Sequence, residues 1–276
     1  MGHEFKEDLH LTSEQEFFSK FTHSWQGGYF EGNPLDPMAT SGYGIYGYNS
    51  CLYTVYLTCI RNHVHSDSTV LEIGPGRGAW TKAFLERECS HVYVVDAAAA
   101  EQTGFWDYIG TTSHVTYIQS ADLMLSDVPD ASIDHFFSFG VFCHLKPQMC
   151  EKYLNSLVRK MRSGSHGFLM IADYDKYNYC IAHADQLSIK RAFGSRKVWL
   201  LARLAYILNW KIFRSKTDLQ GVSKNDDLDV SRDATTRWYH WGIDRACEAL
   251  TREGFKIVER DMEIVSRDPV IHFVKP

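Results

Sequence analysis

Short runs of consecutive apolar residues alternate with segments of helical periodicity through the middle of the chain. The runs TVLEI, HVYVV, IDHFFSF and HGFLMIA lack a strict in–out alternation, which is typical of strands buried on both faces. The predicted strands are residues 69–73, 91–95, 115–118, 133–138 and 166–172, and the helices between them are 79–88, 101–109 and 147–161. This alternation predicts an α/β fold, doubly wound around a mostly parallel sheet.

The segments before and after this alternation have a different character. Before it, a helix is predicted at 13–22, a Gly-, Pro- and aromatic-rich loop at 27–47 and a second helix at 49–64. After it come an insertion at 174–237, a helix at 242–253 with Gly254 as its C-cap, a strand at 255–260 and a last strand, VIHFVK. We therefore expect an N-terminal helical and aromatic extension over 1–66, and a main domain over 67–276 that carries a helical lid insertion at about 174–237.

The composition of the chain excludes several classes of protein. The chain has 276 residues, 45% of them hydrophobic, and a net charge of -5, which argues against a nucleic-acid partner. Its seven cysteines have no C-x-x-C spacing and indicate reduced thiols. The most apolar stretch in the later part of the chain, residues 198–213, contains Arg203 and Lys211 and is shorter than the roughly 20 residues of a membrane span. We expect a cytoplasmic protein without a transmembrane segment.

A glycine-rich loop, VLEIGPGRGAW at residues 70–80, follows the first predicted strand and begins the next helix. Gly74, Gly76 and Gly78 allow the backbone to turn sharply and a ligand to approach the helix N-terminus. Asp96 ends the following strand, where a carboxylate can accept hydrogen bonds from ribose hydroxyls. The loop therefore predicts a nucleoside cofactor, but Gly74, Gly76 and Ala79 also fit the dinucleotide fingerprint G-x-G-x-x-G/A.

Glu72 favours one of these two cofactor classes. It stands inside an otherwise apolar strand, two residues before the first glycine of the loop. Burying a carboxylate is unfavourable unless it has a cationic or hydrogen-bonding partner. The ammonium group of a methionine-type cofactor would be such a partner, whereas a pyrophosphate would add negative charge beside the acid.

The loop, Asp96 and the Ser-Ala-Asp-Leu segment at 120–123 together resemble the cofactor half of class I S-adenosylmethionine-dependent methyltransferases. The resemblance covers about 69–172 and, more weakly, 238–276, and it implies a seven-stranded sheet with an antiparallel end and S-adenosyl-L-methionine as cofactor. It places the loop at the methionine part, Asp96 at the ribose, Asp122 with Leu123 at the adenine, and Phe139 with Gly140 beside the sulfonium. The implied cofactor-binding residues are Glu72, Gly74, Pro75, Gly76, Gly78, Asp96, Ala97, Asp122, Leu123, Phe139 and Gly140.

Catalytic residues are expected where strands four and five end, because ligands bind at the carboxyl edge of open α/β sheets. His144 follows strand four and is a candidate general base. His240, in the aromatic segment TRWYHWG, is a candidate for a catalytic or substrate-binding role, and Asp175, with its neighbour Asp173, is a further candidate. Since Asp173 and Asp175 would point to opposite faces of an extended chain, we predict no metal.

The insertion 174–237 is the most basic part of the chain, and it leaves and returns at the carboxyl end of strand five. An anionic substrate or an anionic membrane surface would explain its charge, and so would a solvated face of packed helices. Tyr43, Tyr46 and Tyr48 are candidates for closing the pocket from the N-terminal side. The basic residues of the insertion include Arg191, Arg196, Lys197, Arg203, Lys211, Arg214 and Lys216.

The sequence thus predicts a methyltransferase that acts on a hydroxyl of a small molecule or glycan, with one general base. An N-P-P-Y-type segment is absent from the end of strand four, where residues 138–141 read SFGV, and this favours a small molecule over DNA. Three alternatives stay open: a small-molecule N-methyltransferase, an NAD-dependent oxidoreductase, and a methyltransferase-like protein that binds a partner without turnover. The oligomeric state is not predicted.

Overall fold

The computed structural model describes residues 33–37, 51–120, 122–177, 179–180, 239–265 and 268–276. Three predicted features lie wholly or mostly outside the described residues: the helix at 13–22, the aromatic loop at 27–47 apart from residues 33–37, and nearly all of the insertion at 174–237. The described residues contain no helix that is long and apolar enough to cross a bilayer.

The core of the structure is a seven-stranded sheet with the order β3-β2-β1-β4-β5-β7-β6. Strands β1 to β5 pair with one another in parallel, and β7 runs antiparallel to both β5 and β6. The predicted doubly wound, mostly parallel sheet with an antiparallel end is confirmed. The strands are β1 (Thr69–Ile73), β2 (His91–Asp96), β3 (Val115–Gln119), β4 (Ile133–Ser138), β5 (Met161–Met170), β6 (Lys256–Glu259) and β7 (Val270–Val274).

Helices cover both faces of the sheet. One face packs against α5 and α6, and the other packs against α1, a following π-helix, α2 and α4. Part of the predicted N-terminal extension therefore lies directly on the sheet. The helices are α1 (Cys51–Val55), which continues as a π-helix (Tyr56–Arg61), α2 (Ala79–Leu85), α3 (Ala100–Thr103), α4 (Phe105–Ile109), a 3-10 turn (Phe142–His144), α5 (Pro147–Lys160) and α6 (Ile243–Arg252).

The sequence predicted the end of α6 correctly but not the start of β5. Gly254, at φ +96°, ends α6 as expected: its N–H bonds to the carbonyl of Thr251, and that of Phe255 bonds to the carbonyl of Leu250, both at 3.0 Å. Strand β5, by contrast, begins at Met161 rather than at 166, because an irregularity in its pairing with β4 adds a short exposed stretch with Gly164 at φ +83°.

Candidate active site

The glycine loop joins the carboxyl end of β1 to the start of α2 at the point where the strand order reverses direction. Gly74 and Gly78 have φ of +72° and +97°, and a Cβ on Gly74 would lie 2.1 Å from Cγ2 of Val141. A Cβ on Gly78 would lie 2.7 Å from Cγ2 of Ile109. Both positions thus require glycine, for backbone conformation and for space.

Glu72 lies beneath this loop and is only 1% exposed. The hydroxyl of Thr81 donates a hydrogen bond to Oε2 at 2.6 Å, and Oε1 has no hydrogen-bond partner among the described residues. Burial raises the pKa of Glu72 to about 8, against the opposing effect of the Thr81 hydrogen bond. An acceptor without a partner, buried beside the loop, fits the ammonium group of a methionine-type cofactor.

Asp96 is the last residue of β2 and connects that strand to the glycine loop. Its Oδ1 accepts a hydrogen bond from the N–H of Ala98 at 2.9 Å, and the N–H groups of Gly76 and Ala97 also bond to the carboxylate. Burial raises the pKa of Asp96 to about 6, in spite of these hydrogen bonds, so the group is ionised above that pH. The turn that follows is held by Tyr117, whose hydroxyl donates to the carbonyl of Ala98 at 2.9 Å.

The predicted adenine contacts lie in the turn after β3. Oδ1 of Asp122 accepts hydrogen bonds from the hydroxyl of Ser120 at 2.9 Å and from the N–H of Met124 at 2.8 Å. Asp122 is exposed, whereas Leu123 is 5% exposed and has a φ of +61°. The Asp122 carboxylate therefore orders the turn in which it lies, at the same edge of the sheet as Asp96.

The predicted neighbours of the sulfonium follow β4. Phe139 is 5% exposed, and its ring packs against Trp80 with a centroid distance of 5.1 Å. Its side chain therefore belongs to the core, so a contact with cofactor would come from its backbone or from Gly140, which has a φ of +80°. The hydroxyl of Ser138 donates to the carbonyl of Ile73 at 3.0 Å and so ties the end of β4 to the glycine loop.

The two histidines predicted to take part in catalysis lie in adjoining segments of the carboxyl edge. The N–H of Tyr239, beside His240, donates to the carbonyl of Cys143, beside His144, at 2.8 Å. The N–H of Trp241 donates to the carbonyl of Ala172, just beyond β5, at 3.1 Å. Both histidines are partly buried. The chain thus brings together two segments that are far apart in sequence, at the edge where substrate is expected.

His240 has a defined tautomer when it is neutral. Its Nδ1 accepts a hydrogen bond from the N–H of Tyr174 at 3.1 Å, and its ring stacks on that of Tyr174 with a centroid distance of 4.9 Å. Since the backbone N–H can only donate, Nδ1 carries no proton and Nε2 carries it. His240 can therefore donate a hydrogen bond through Nε2.

The neighbours Asp173 and Asp175 have different surroundings. Asp173 is buried, and its Oδ1 accepts hydrogen bonds from the N–H groups of Asp175 at 2.8 Å and Lys176 at 3.1 Å. Its Oδ2 accepts from the N–H of Ile243, the first residue of α6, at 2.9 Å. Asp173 thus satisfies backbone donors of two segments. Asp175 is exposed, next to the segment that carries His240.

Sequence reasoning missed two residues of this site. Thr81, the partner of Glu72, lies in α2, and a capping or packing threonine would have the same sequence signal. Tyr117, which orders the turn after Asp96, reads as an ordinary strand aromatic. Both act through contacts between elements, which the hydrophobic pattern does not show.

The sequence and the fold of the chain are similar to those of known methyltransferases. Residues 71–169 match the family model described as a methyltransferase domain. The solved structure of 1,6-didemethyltoxoflavin-N1-methyltransferase from Burkholderia thailandensis, with bound 1,6-didemethyltoxoflavin and S-adenosylhomocysteine, is 14% identical, with a TM-score of 0.53 over 100% of this chain and 90% of that one. N-methyltransferase NodS from Bradyrhizobium japonicum WM9, in complex with S-adenosyl-L-homocysteine, is also 14% identical, with a TM-score of 0.53 over 94% and 98% of the two chains. No curated protein matches the sequence.

Residues 71–169 form a methyltransferase domain, and the seven-stranded order of the sheet is the one expected for the class I S-adenosylmethionine-dependent fold. Both agree with the prediction made from the glycine loop and its acids. The domain match bears out the prediction of a methyltransferase enzyme that uses S-adenosyl-L-methionine.

Proposed function

We propose that this methyltransferase transfers the methyl group of S-adenosylmethionine to a hydroxyl of a small molecule or glycan, at the carboxyl edge of β4 and β5. The observation that supports the proposal is the pairing of the Tyr239 N–H with the Cys143 carbonyl, since it brings together the segments that carry His144 and His240. Small polar acceptors can be held by two such side chains, and positioning supplies much of the rate in methyl transfer.

The cofactor supplies an electrophilic methyl group on a sulfonium. In the proposed arrangement, ionised Glu72 accepts hydrogen bonds from the cofactor ammonium through Oε1, which has no partner among the described residues. Asp96, ionised above pH 6, accepts from the ribose hydroxyls. Asp122 and Leu123 would contact the adenine, and the backbone of Phe139 and Gly140 would lie beside the methyl group. These residues bind and orient the cofactor and take no part in proton transfer.

The two histidines are proposed to have different roles at the acceptor. His144, in the 3-10 turn after β4, removes the proton from the acceptor hydroxyl as the methyl group is transferred. His240 cannot take that role at Nδ1, which already accepts the Tyr174 N–H, so we assign it the donation of a hydrogen bond through Nε2 to the acceptor molecule. Asp175 is a further hydrogen-bonding group for the substrate, because it is exposed beside this segment.

A nitrogen acceptor is the second candidate. Both solved structures named above are N-methyltransferases by their descriptions, and one of them holds 1,6-didemethyltoxoflavin. An amine or ring nitrogen would need the same positioning by His240 but would depend less on proton removal by His144. An anionic acceptor, expected from the basic residues of 174–237, rests on the sequence alone.

The test is methyl transfer to a pool of metabolites. The purified chain is incubated with S-adenosylmethionine and a low-molecular-mass extract, and products heavier by one methylene group are fragmented to find whether oxygen or nitrogen carries the new methyl. We expect an O-methylated small molecule formed together with S-adenosylhomocysteine. An N-methylated product would support the second candidate, and methyl label found only in protein or nucleic acid would contradict both.

A further inference from the structure

Three histidines come together on the α1-covered face of the sheet, outside the site described above. The ligand atoms of His63, His166 and His272 all lie within 4.8 Å of one another. Nδ1 of His166 is 2.9 Å from Nε2 of His272, and the His63 ring centroid lies 4.8 Å from that of His166 and 5.3 Å from that of His272. None of the three was singled out by the sequence.

The fold brings these histidines together from distant parts of the chain. His63 follows the π-helix, His166 lies in β5 and His272 lies in β7. In the antiparallel β5–β7 pair, His166 is opposite Val274 and His272 is opposite Phe168, so the two histidines are diagonal neighbours on one face. The His272 ring stacks on Phe168 with a centroid distance of 4.3 Å and an interplanar angle of 13°, which holds it in place.

This cluster and the glycine loop lie in different parts of the sheet. In the register of the sheet, His166 of β5 pairs with His135 near the start of β4, and His135 pairs with Val70 near the start of β1. The glycine loop, in contrast, follows the end of β1. His272 is level with Glu72 along the sheet but three strands away from it, which is roughly 14 Å at the usual strand spacing. The cluster is therefore separate from the cofactor site.

We propose that His63, His166 and His272 bind one divalent transition-metal ion, zinc being the preferred ion, with water completing the coordination. Zinc takes imidazole nitrogen at about 2.0–2.1 Å, so two nitrogens of a tetrahedral site lie about 3.4 Å apart. Nδ1 of His166 and Nε2 of His272 are hydrogen-bonded at 2.9 Å, slightly closer than this spacing, and the ligand atoms of the whole set lie within 4.8 Å of one another. Rotations about the side-chain torsions would bring the three nitrogens to the tetrahedral spacing. Three imidazoles suit zinc, copper and nickel rather than magnesium or calcium.

Two further observations point to a polar ligand here. The cluster opens to solvent through a cavity of about 350 Å³, lined by Asn62, Asp67, Asp134 and others, with room for an ion and several waters. His135, next to His63 at a centroid distance of 6.5 Å, is fully buried, and neither of its ring nitrogens has a hydrogen-bond partner among the described residues. Buried imidazoles normally have such a partner.

The bound ion would fix the end of the N-terminal helical segment to the sheet. His63 is the only ligand from outside the sheet, and the other two come from the parallel-to-antiparallel junction of β5 and β7. Asp134 makes an ion pair with Arg162 at 2.7 Å across the same cavity and is therefore not assigned as a ligand. The role of the ion is structural, and it is independent of methyl transfer.

The test is zinc binding by the full chain, expressed without a histidine tag and dialysed against a chelator. Competition with a chromophoric chelator and native mass spectrometry should give one zinc ion per chain, and zinc should raise the unfolding temperature. His63→Asn and His166→Asn should each weaken binding at least tenfold. The matched control is His114→Asn, an exposed histidine bonded to the Ser90 carbonyl near β3, and it should bind zinc like the wild type.

Wild-type protein that binds no zinc at a one-to-one ratio would overturn the proposal. So would His63→Asn and His166→Asn variants that bind it with wild-type affinity, because the ion would then lie at other ligands. Circular dichroism and S-adenosylhomocysteine binding check that the variants are folded. His63 is partly buried and outside the strands, so His63→Asn is the variant least able to disturb the sheet.

Discussion

The hydroxyl of Thr81 in α2 donates a hydrogen bond of 2.6 Å to Oε2 of Glu72 in β1, across the glycine loop that joins the two elements. One carboxylate oxygen is thereby satisfied by the protein, while Oε1 has no partner among the described residues. A buried acid held in this way is unfavourable for the free protein and favourable for a protein with a bound ammonium group.

Stability of the cofactor-free protein should depend on pH through Glu72. The pKa of Glu72 is raised from 4.5, its ordinary value, to about 8 in the folded protein. The contribution of Glu72 to stability is therefore fully present below about pH 4.5 and is lost as the pH rises towards 8. Glu72→Gln cannot ionise, and relative to wild type it should gain about 2–4 kcal/mol between about pH 5 and pH 8. Urea unfolding of both proteins across this range measures the difference. Parallel pH profiles would show that Glu72 is not a buried titrating group.

Gly74→Ala should destabilise the protein through two separable effects. The left-handed conformation costs about 1–2 kcal/mol for a residue with a Cβ, and the new Cβ would lie 2.1 Å from Cγ2 of Val141. Gly104→Ala is the matched control, since Gly104 has a φ of +65° but nothing within 4 Å of an added Cβ. We expect a loss of about 2–4 kcal/mol at Gly74 and about 1–2 kcal/mol at Gly104. Equal losses in urea unfolding would rule out the close contact with Val141.

Asp173→Ala and Asp175→Ala should differ in their effect on the free energy of unfolding. Removing the Asp173 carboxylate leaves the N–H groups of Lys176 and Ile243 without their acceptor and should cost about 2–4 kcal/mol in unfolding free energy. Asp175 is exposed, and its replacement should change stability by less than about 0.5 kcal/mol. A stable Asp173→Ala protein with strongly reduced turnover would instead place Asp173 in catalysis.

His144→Asn should lower kcat by about 10²-fold or more while S-adenosylhomocysteine affinity stays unchanged, because a general base acts only in the chemical step. His240→Asn should mainly raise KM for the acceptor, through loss of the Nε2 hydrogen bond. His114→Asn is the control for general effects of histidine replacement, and its kinetics should match the wild type. Normal turnover of His144→Asn would end its assignment as base and favour a nitrogen acceptor.

Much of the fold could be predicted from the sequence because a parallel sheet buries whole strands. TVLEI and IDHFFSF are near-continuous apolar runs, and they form β1 and β4 almost residue for residue. The start of β5 could not be predicted, because its first residues are exposed and polar and lie in an irregular stretch. The π-helix of Tyr56–Arg61 also has no signal that separates it from an α-helix in the apolar pattern.

Some residues of the site could be predicted from the sequence, and others could not. Glu72 and Asp96 could be recognised because their positions are set by the ends of consecutive elements. The roles of Asp173 and His240 depend on a segment that returns to the end of β5 from far along the chain, as the Ile243 N–H on Asp173 shows. Pairings of this kind, including the β5–β7 register that brings His166 to His272, arise only from the folded topology.

The measurement that tests the assigned cofactor site most directly is calorimetric titration of the wild type and Asp96→Ala with S-adenosylhomocysteine and with NAD. The exposed Asp107→Asn serves as a matched control. We predict one-to-one binding of S-adenosylhomocysteine to the wild type and the control, no binding of NAD, and a loss of about 1.5–3 kcal/mol in Asp96→Ala. Unchanged affinity in Asp96→Ala, or binding of NAD in place of S-adenosylhomocysteine, would contradict the site described here.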